Sequence, residues 1–178
     1  MKVLASKLDG CVTIEPMIHR DHRGFFIEVF QVARYAEIIG TSLSFVQDNY
    51  SFSTRGVLRG LHFQRKRPQG RLIRVVSGEV FDVAVDIRTQ SKTFGHWNAV
   101  TLSEQNRRQV WIPPGFAHGF LVLSESAGLE YKCTEYYDPD DEGNILWNDP
   151  KLSISWPTDV PILSDKDANA PLFDDLKL

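Results

Sequence analysis

The segment Arg55–Gln64 combines side chains that can perform acid–base chemistry with residues that can position them. Arg59 supplies a permanent cation, and His62 exchanges protons near neutral pH. Apolar residues around both predict a strand anchored in the core. Because residues three apart lie on opposite faces of a regular strand, we expect a bend or bulge at Gly60 to bring the two side chains to one side. The alternative is that His62 is a hydrogen-bonded core histidine and Arg59 a surface charge.

Three further side chains extend this pair into an acid–base set that needs no electrophilic cofactor. Tyr131, on an alternating strand, could return a proton that His62 removes. Arg71 or His118 could stabilise the negative charge that develops. Each has a structural alternative, such as a tyrosine half in the core or an arginine at a solvated strand end.

Arg23 and Arg59, with Gln47 and Asn49, could bind a phosphorylated ligand, although scattered surface polarity explains the same residues. Five histidines raise the question of a metal site. The strands with His62 and His118 each supply one histidine and no second ligand beside it, so we predict no metal. Glycine-rich nucleotide loops and serine nucleophile elbows are absent from the sequence.

Length, charge and cysteine content limit the classes of protein to which the chain can belong. The chain has 178 residues and 42% apolar residues, which predicts one globular domain with a core of ordinary size. A net charge of −3 argues against nucleic-acid binding. No apolar run suggests a membrane span or signal peptide, and Cys11 and Cys133 form no disulfide framework, so we expect reduced thiols and a cytoplasmic location.

Hydrophobic periodicity predicts many short strands and little helix. Glu79–Ile87 alternates most regularly, and Phe45–Phe52 places Gln47 and Asn49 on one face. Gln31–Ile39 is the best helix candidate, and a helical turn is expected to begin at Ser164. This pattern favours an antiparallel sandwich or barrel.

Seven sequence blocks together make the chain resemble the dTDP-4-dehydrorhamnose 3,5-epimerases. They are Asp21–Glu28, Gln47–Asn49, Val57–His62, Gly78–Asp86, Trp111–Phe120, Ile145–Pro150 and Leu163–Asp167. As an ordered set spread over nearly the whole chain, they are far more specific than any single motif.

The resemblance implies an all-β, cupin-type double-stranded β-helix (jelly roll) with short peripheral helices, formed by residues 1–178 as a single domain with N- and C-terminal extensions. It implies a homodimer with a metal-free site and no cofactor. The implied substrate is a dTDP-linked 4-keto-6-deoxy sugar. Its epimerisation at C3 and C5 belongs to dTDP-rhamnose biosynthesis, which supplies O-antigen or cell-wall polysaccharide.

The resemblance also implies a role for individual residues. His62 matches the general base, Tyr131 the general acid, and Asp167 the carboxylate paired with His62. Tyr137 matches the aromatic residue that stacks on thymine. The remaining substrate-binding positions are Arg23, Phe26, Glu28, Gln47, Asp48, Asn49, Arg59, Arg71, His118, Glu142 and Lys166. At Arg71 the family commonly has lysine, and arginine keeps the positive charge but is a poor proton donor.

Three other functions remain open from the sequence. The first is a related epimerase that inverts only C3 or only C5 of a dTDP-4-keto-6-deoxy sugar. The second is a cupin-like module that binds a sugar nucleotide without catalysis, although the joint presence of His62, Tyr131 and Asp167 argues against it. The third is a metal-dependent cupin enzyme.

Overall fold

The computed structural model describes residues 1–40 and 44–176, and its strands form two antiparallel sheets packed face to face. The strands of the first sheet are, in spatial order, β1 (Lys2–Ala5), β2 (Val12–Glu15), β10 (Gln109–Ile112), β7 (Arg71–Ser77), β12 (Ser126–Cys133) and β5 (Gln47–Thr54). Those of the second sheet are β13 (Glu142–Asn144), β6 (Leu58–Gln64), β11 (Phe116–Val122), β8 (Glu79–Asp86) and β9 (Trp97–Ser103). A separate hairpin consists of β3 (Ile18–Asp21) and β4 (Gly24–Ile27). The fold is the predicted cupin-type jelly roll.

The central strands are apolar on both faces because both faces are covered. On β8, Val80 and Ala84 face the first sheet and join a core cluster with Ile73 and Leu129. The alternate residues of β8 lie on the outer face of the second sheet. There they belong to a second cluster that includes Trp156 from the C-terminal segment. The C-terminal segment therefore covers a sheet face that would otherwise be exposed.

Both predicted helical segments are confirmed. Helix α1 (Val32–Ile39) begins where the Gln31 side chain accepts a hydrogen bond from the Arg34 N–H, and it ends at Gly40 in the left-handed conformation. Helix α2 (Asp165–Ala168) is one turn long, and the Ser164 side chain caps it. None of the described helices has the length and apolar character needed to cross a bilayer.

The ends of one strand differ by a few residues from those that the hydrophobic periodicity predicts. The sequence pattern predicts a strand over Leu129–Tyr136, whereas β12 runs over Ser126–Cys133. Its start is set by pairing with the end of β5, where Ser126 lies opposite Thr54. Partner strands, and not the apolar content of the segment, therefore determine where this strand begins and ends.

Candidate active site

A bulge at Gly60 gives β6 the irregularity that the sequence predicts. The backbone φ of Gly60 is +132°, and a Cβ there would lie 2.5 Å from the Gly119 Cα, so only glycine fits. The pairing register of β6 with β11 shifts at the same place. As a result Arg59 and His62 line the same cavity, although an ideal strand would point them to opposite faces.

That cavity, of about 300 Å³, lies between the two sheets. Its walls come from β5, β7 and β12 of the first sheet and from β6, β11 and β13 of the second. Many of the expected site residues line it: Gln47, Asn49, Arg59, His62, Arg71, His118, Tyr131, Tyr137 and Glu142. Three lining residues, Ser51, Gln69 and Phe120, were not anticipated from the sequence.

His62 is paired with a carboxylate from the other end of the chain. Its Nε2 lies 2.6 Å from Asp167 Oδ1, and the Gly60 N–H donates to the other carboxylate oxygen. Asp167 is buried, and the Ser164 cap of α2 positions it through the Asp167 N–H. Burial alone would raise the pKa of Asp167, but the bond and charge of His62 outweigh it and lower the pKa. An ionised Asp167 accepts the Nε2 proton, which leaves Nδ1 of His62 as the basic nitrogen.

A second histidine–carboxylate pair includes His118, which lines the same cavity. His118 Nε2 is 2.8 Å from Asp82 Oδ2, and both side chains are buried. Sequence reasoning named His118 but missed Asp82 as its partner. The signal was present, because Asp82 is a carboxylate between the apolar residues of β8, on the face that points to the first sheet.

Tyr131 faces the cavity from β12. Burial raises the pKa of Tyr131, although the nearby charge of Arg71 lowers it in part. The phenol therefore keeps its proton at neutral pH and is available as a donor.

Two hydrogen bonds hold the Arg71 guanidinium beside His62. Nη1 donates to the His62 carbonyl oxygen and Nη2 to Gln69 Oε1, each at 3.3 Å. Gln69 is itself held by the Glu135 carbonyl, to which its amide donates at 2.8 Å. Gln69 thus helps to position Arg71. Within the described residues, Arg71 is the one cation of β7 that lines the cavity.

A polar network surrounds Tyr137 at one end of the cavity. Its hydroxyl donates to Glu142 Oε2 at 3.0 Å, and Lys166 Nζ donates to the same oxygen. Gln47 Oε1 accepts the Tyr137 backbone N–H at 2.9 Å. Burial would raise the pKa of Glu142, but the hydrogen bonds from Lys166 and Tyr137 outweigh it, so the pKa is lowered and the carboxylate is ionised.

Comparisons with known proteins show the family of the chain. The family model described as dTDP-4-dehydrorhamnose 3,5-epimerase matches residues 5–175. This chain belongs to that family. It is 53% identical to the dTDP-4-dehydrorhamnose 3,5-epimerase of Salmonella typhimurium, over 98% of this chain and 96% of that protein.

Solved structures of the epimerase family also superpose closely. One is a dTDP-6-deoxy-D-glucose-3,5-epimerase from Legionella pneumophila in complex with dTDP-4-keto-L-rhamnose, with 53% identity, a TM-score of 0.96, and coverage of 98% of this chain and 94% of that one. Another is a 3′-monoepimerase from Streptomyces bikiniensis in complex with dTDP-quinovose, with 37% identity, a TM-score of 0.88, and coverage of 94% and 85%.

Five substrate-binding residues expected from the family resemblance do not line the cavity of their own chain. Arg23, Phe26 and Glu28 lie in or just after the β3–β4 hairpin, where Arg23 pairs with Asp21 at 2.6 Å and Phe26 is 70% exposed. Asp48 alternates with Gln47 and Asn49 along β5, so it points to the opposite face. There it pairs with Lys132 at 2.9 Å. Lys166 reaches the site only through Glu142.

Proposed function

We propose that this protein epimerises dTDP-4-dehydro-6-deoxy-D-glucose at C3 and C5 to give dTDP-4-dehydro-L-rhamnose, a step of dTDP-rhamnose biosynthesis. The observation that carries the proposal is the presence of His62, paired with Asp167, and Tyr131 in one cavity of a chain that belongs to the 3,5-epimerase family. These are a base and an acid, which are the two groups that inversion of a carbon next to a ketone requires.

The first step is removal of a proton. The C4 ketone acidifies the hydrogens on C3 and C5, because the electron pair left behind delocalises onto the ketone oxygen. His62 takes the proton from carbon, the C–H electrons form the enolate, and Asp167 stabilises the resulting imidazolium. One base serves both carbons if the sugar shifts slightly between the two events.

The enolate oxygen then needs a donor or a cation. Arg71 and His118 both line the cavity, and each is held by the protein and so is oriented in advance. Such preorganised donors stabilise developing charge more than mobile water does. In the second step Tyr131 gives its proton to the opposite face of the carbon, which inverts the centre. Exchange with solvent then returns His62 and Tyr131 to their starting protonation states.

Turnover in deuterated water tests the proposal. The protein is incubated with dTDP-4-dehydro-6-deoxy-D-glucose and a partner reductase, and NMR follows deuterium at C3 and C5 and identifies the trapped product. We expect exchange and inversion at both carbons. In His62→Ala, exchange at both should fall by about 10²–10⁴-fold while dTDP affinity persists. Near-normal exchange at either carbon in this variant would contradict the single-base assignment.

Inversion at one carbon only is the second candidate. It is favoured by the similarity to the 3′-monoepimerase structure and by Arg71 at the position where the family commonly has lysine. The same experiment separates the two functions, since a single-carbon epimerase would place solvent deuterium at one of the two positions and leave the other unlabelled.

We further propose that the protein works as a homodimer in which the β3–β4 hairpin of one protomer completes the site of its partner. The hairpin exposes Phe25 and Phe26, and the outer face of β5 exposes Tyr50 and Phe52, at 59% and 57%. Apolar surface of this extent supports an interface. In a two-fold dimer each hairpin can reach the other site, which explains why Arg23, Phe26 and Glu28 miss their own cavity.

A further inference from the structure

The hydroxyl of Ser51 is buried in the cavity wall without a hydrogen-bond partner. Among the buried side-chain polar atoms of residues 1–40 and 44–176, Ser51 Oγ and Arg71 Nε are the two that lack one. Both residues line the cavity. Leaving a hydroxyl buried and unpaired costs folding free energy, so such a group is more readily explained by a ligand than by stability.

The register of the first sheet places Ser51 relative to the reacting groups. On β5, Gln47, Asn49 and Ser51 alternate on the inward face. Asn49 lies opposite Tyr131, and Gln47 accepts the backbone N–H of Tyr137. Four residues along a strand span about 13 Å, so Tyr137 is at one end of this row, Tyr131 is in the middle and Ser51 is at the far end.

At the Ser51 end of β5, a second serine and a cation lie beside apolar side chains. Arg59 Nε donates to Ser53 Oγ at 3.0 Å, and Ser53 is the next inward residue after Ser51. Arg59 and Ser51 both line the cavity, so the guanidinium faces the same space as the Ser51 hydroxyl. Phe120 lines the same cavity, and Ser51 pairs with the buried Leu129 on β12. The Ser51 hydroxyl and the Arg59 guanidinium on this part of the cavity wall suit a sugar edge that carries hydroxyl groups better than an apolar edge of a ligand.

We propose that Ser51 Oγ hydrogen-bonds a hydroxyl of the hexose, on the side of the ring turned away from the nucleotide, and thereby contributes to sugar selectivity. This inference rests on the proposed function, because it takes the nucleotide to lie at the Tyr137 end and the reacting ring to lie between His62 and Tyr131. A serine hydroxyl both donates and accepts, so it matches a sugar hydroxyl in either orientation.

Calorimetric titration of Ser51→Ala with two non-reacting ligands tests the contact. dTDP lacks the hexose, and dTDP-glucose carries a hydroxylated hexose without a ketone. We expect dTDP-glucose to bind about 3–10-fold more weakly to the variant than to the wild type, the range for one neutral hydrogen bond, and dTDP to bind equally well. The melting temperature should not fall, because no hydrogen bond within the protein is lost.

Ser124→Ala is the matched control. Ser124 Oγ accepts from the Glu79 N–H and donates to the Ser126 carbonyl, both at 2.7 Å, and it does not line the cavity. This variant should lose stability and keep both affinities.

Three outcomes would overturn the inference for Ser51. They are an unchanged affinity for dTDP-glucose, an equal loss of affinity for dTDP, and a melting temperature that falls as far as in Ser124→Ala. Failure of the proposed function would look different. In that case the wild type would not turn over the 4-keto sugar, whatever Ser51→Ala does to the binding of dTDP-glucose.

Discussion

Each of the two cavity histidines is paired with a carboxylate, but the two side chains differ in their exposure to solvent. His62 is partly open to solvent beside Asp167, whereas His118 is enclosed with Asp82. A base that must exchange its proton with solvent between turnovers benefits from the open position. A group that only holds charge on an oxygen benefits from the enclosed one, where electrostatic interactions are stronger. This difference supports His62 as the base and His118 as a stabiliser of the enolate.

Tyr131→Phe should separate proton removal from proton delivery. The variant keeps the ring and its packing but loses the proton, which the raised pKa of Tyr131 keeps on the oxygen at neutral pH. His62 should still abstract a proton, so solvent deuterium enters C3 or C5 while inversion largely fails. The ratio of deuterium incorporation to inverted product, followed by NMR, measures this. A wild-type ratio at a wild-type rate would show that Tyr131 only fills space.

Arg71 offers a matched pair of substitutions. Arg71→Lys keeps a positive charge but loses the tethers to His62 and Gln69. Arg71→Met keeps a long chain without charge. If the cation holds the enolate oxygen, kcat should stay within about tenfold of wild type in the lysine variant and fall by about 10²–10³-fold in the methionine variant. Equal values of kcat in the two variants would mean that charge at this position is not used.

At the scale of elements, buried carboxylates anchor the loops that join the strands. Asp86, the last residue of β8, is fully buried and accepts hydrogen bonds from Arg88, Ser91 and Thr93. These bonds fix the loop between β8 and β9. Since β8 pairs with β11, which carries His118, the anchor also supports the sheet on which the site is built.

Replacing this carboxylate should give a pH-dependent loss of stability. Burial alone would raise the pKa of Asp86, but its hydrogen bonds lower the pKa from 3.8 to about 2. Because the folded pKa is the lower one, the stabilisation is complete above the unfolded value and disappears as the pH falls towards 2. Asp86→Asn should therefore lower the free energy of unfolding by about 2 kcal/mol at pH 7, and by less as the pH falls below 4.

Denaturant unfolding of both proteins across this pH range measures the difference. Asp159→Asn, at an exposed carboxylate, is the control and should leave the free energy of unfolding nearly unchanged. A loss in Asp86→Asn that stays constant from pH 7 to pH 2 would mean that packing, and not the charge of Asp86, provides the stabilisation.

At the scale of the whole molecule, the position of the hairpin predicts complementation between subunits. If Arg23 acts in the partner's site, Arg23→Ala and His62→Ala should each be nearly inactive alone. Co-expression in equal amounts makes half of the dimers hybrid, and each hybrid has one intact site, so activity should recover to about a quarter of wild type.

Differently tagged chains allow the hybrid dimers to be purified and assayed directly. Hybrids no more active than the two parents would place Arg23 outside the partner's site. An Arg23→Ala homodimer with full activity would remove this residue from the binding site altogether.

The sequence by itself determined the local elements and the chemistry available. Alternation on β8, the Ser164 cap and the glycine after α1 are local signals, because each depends on dihedral preferences and hydrogen bonds within a few residues. The bulge at Gly60 was predictable for the same reason. The family resemblance then assigned roles to His62, Tyr131 and Asp167.

The family resemblance implied that Asp167 pairs with His62, but the contacts themselves, including the unexpected pair of His118 and Asp82, come from the tertiary structure. Asp167 lies 105 residues from His62, and Asp82 lies 36 from His118, so no local pattern could pair them. The unpaired hydroxyl of Ser51 is visible only once its surroundings are known. The exclusion of the β3–β4 hairpin from its own cavity likewise follows from strand order and sheet packing. Period-two alternation states which face a side chain takes, but the contact it makes there depends on the register of strands distant in sequence.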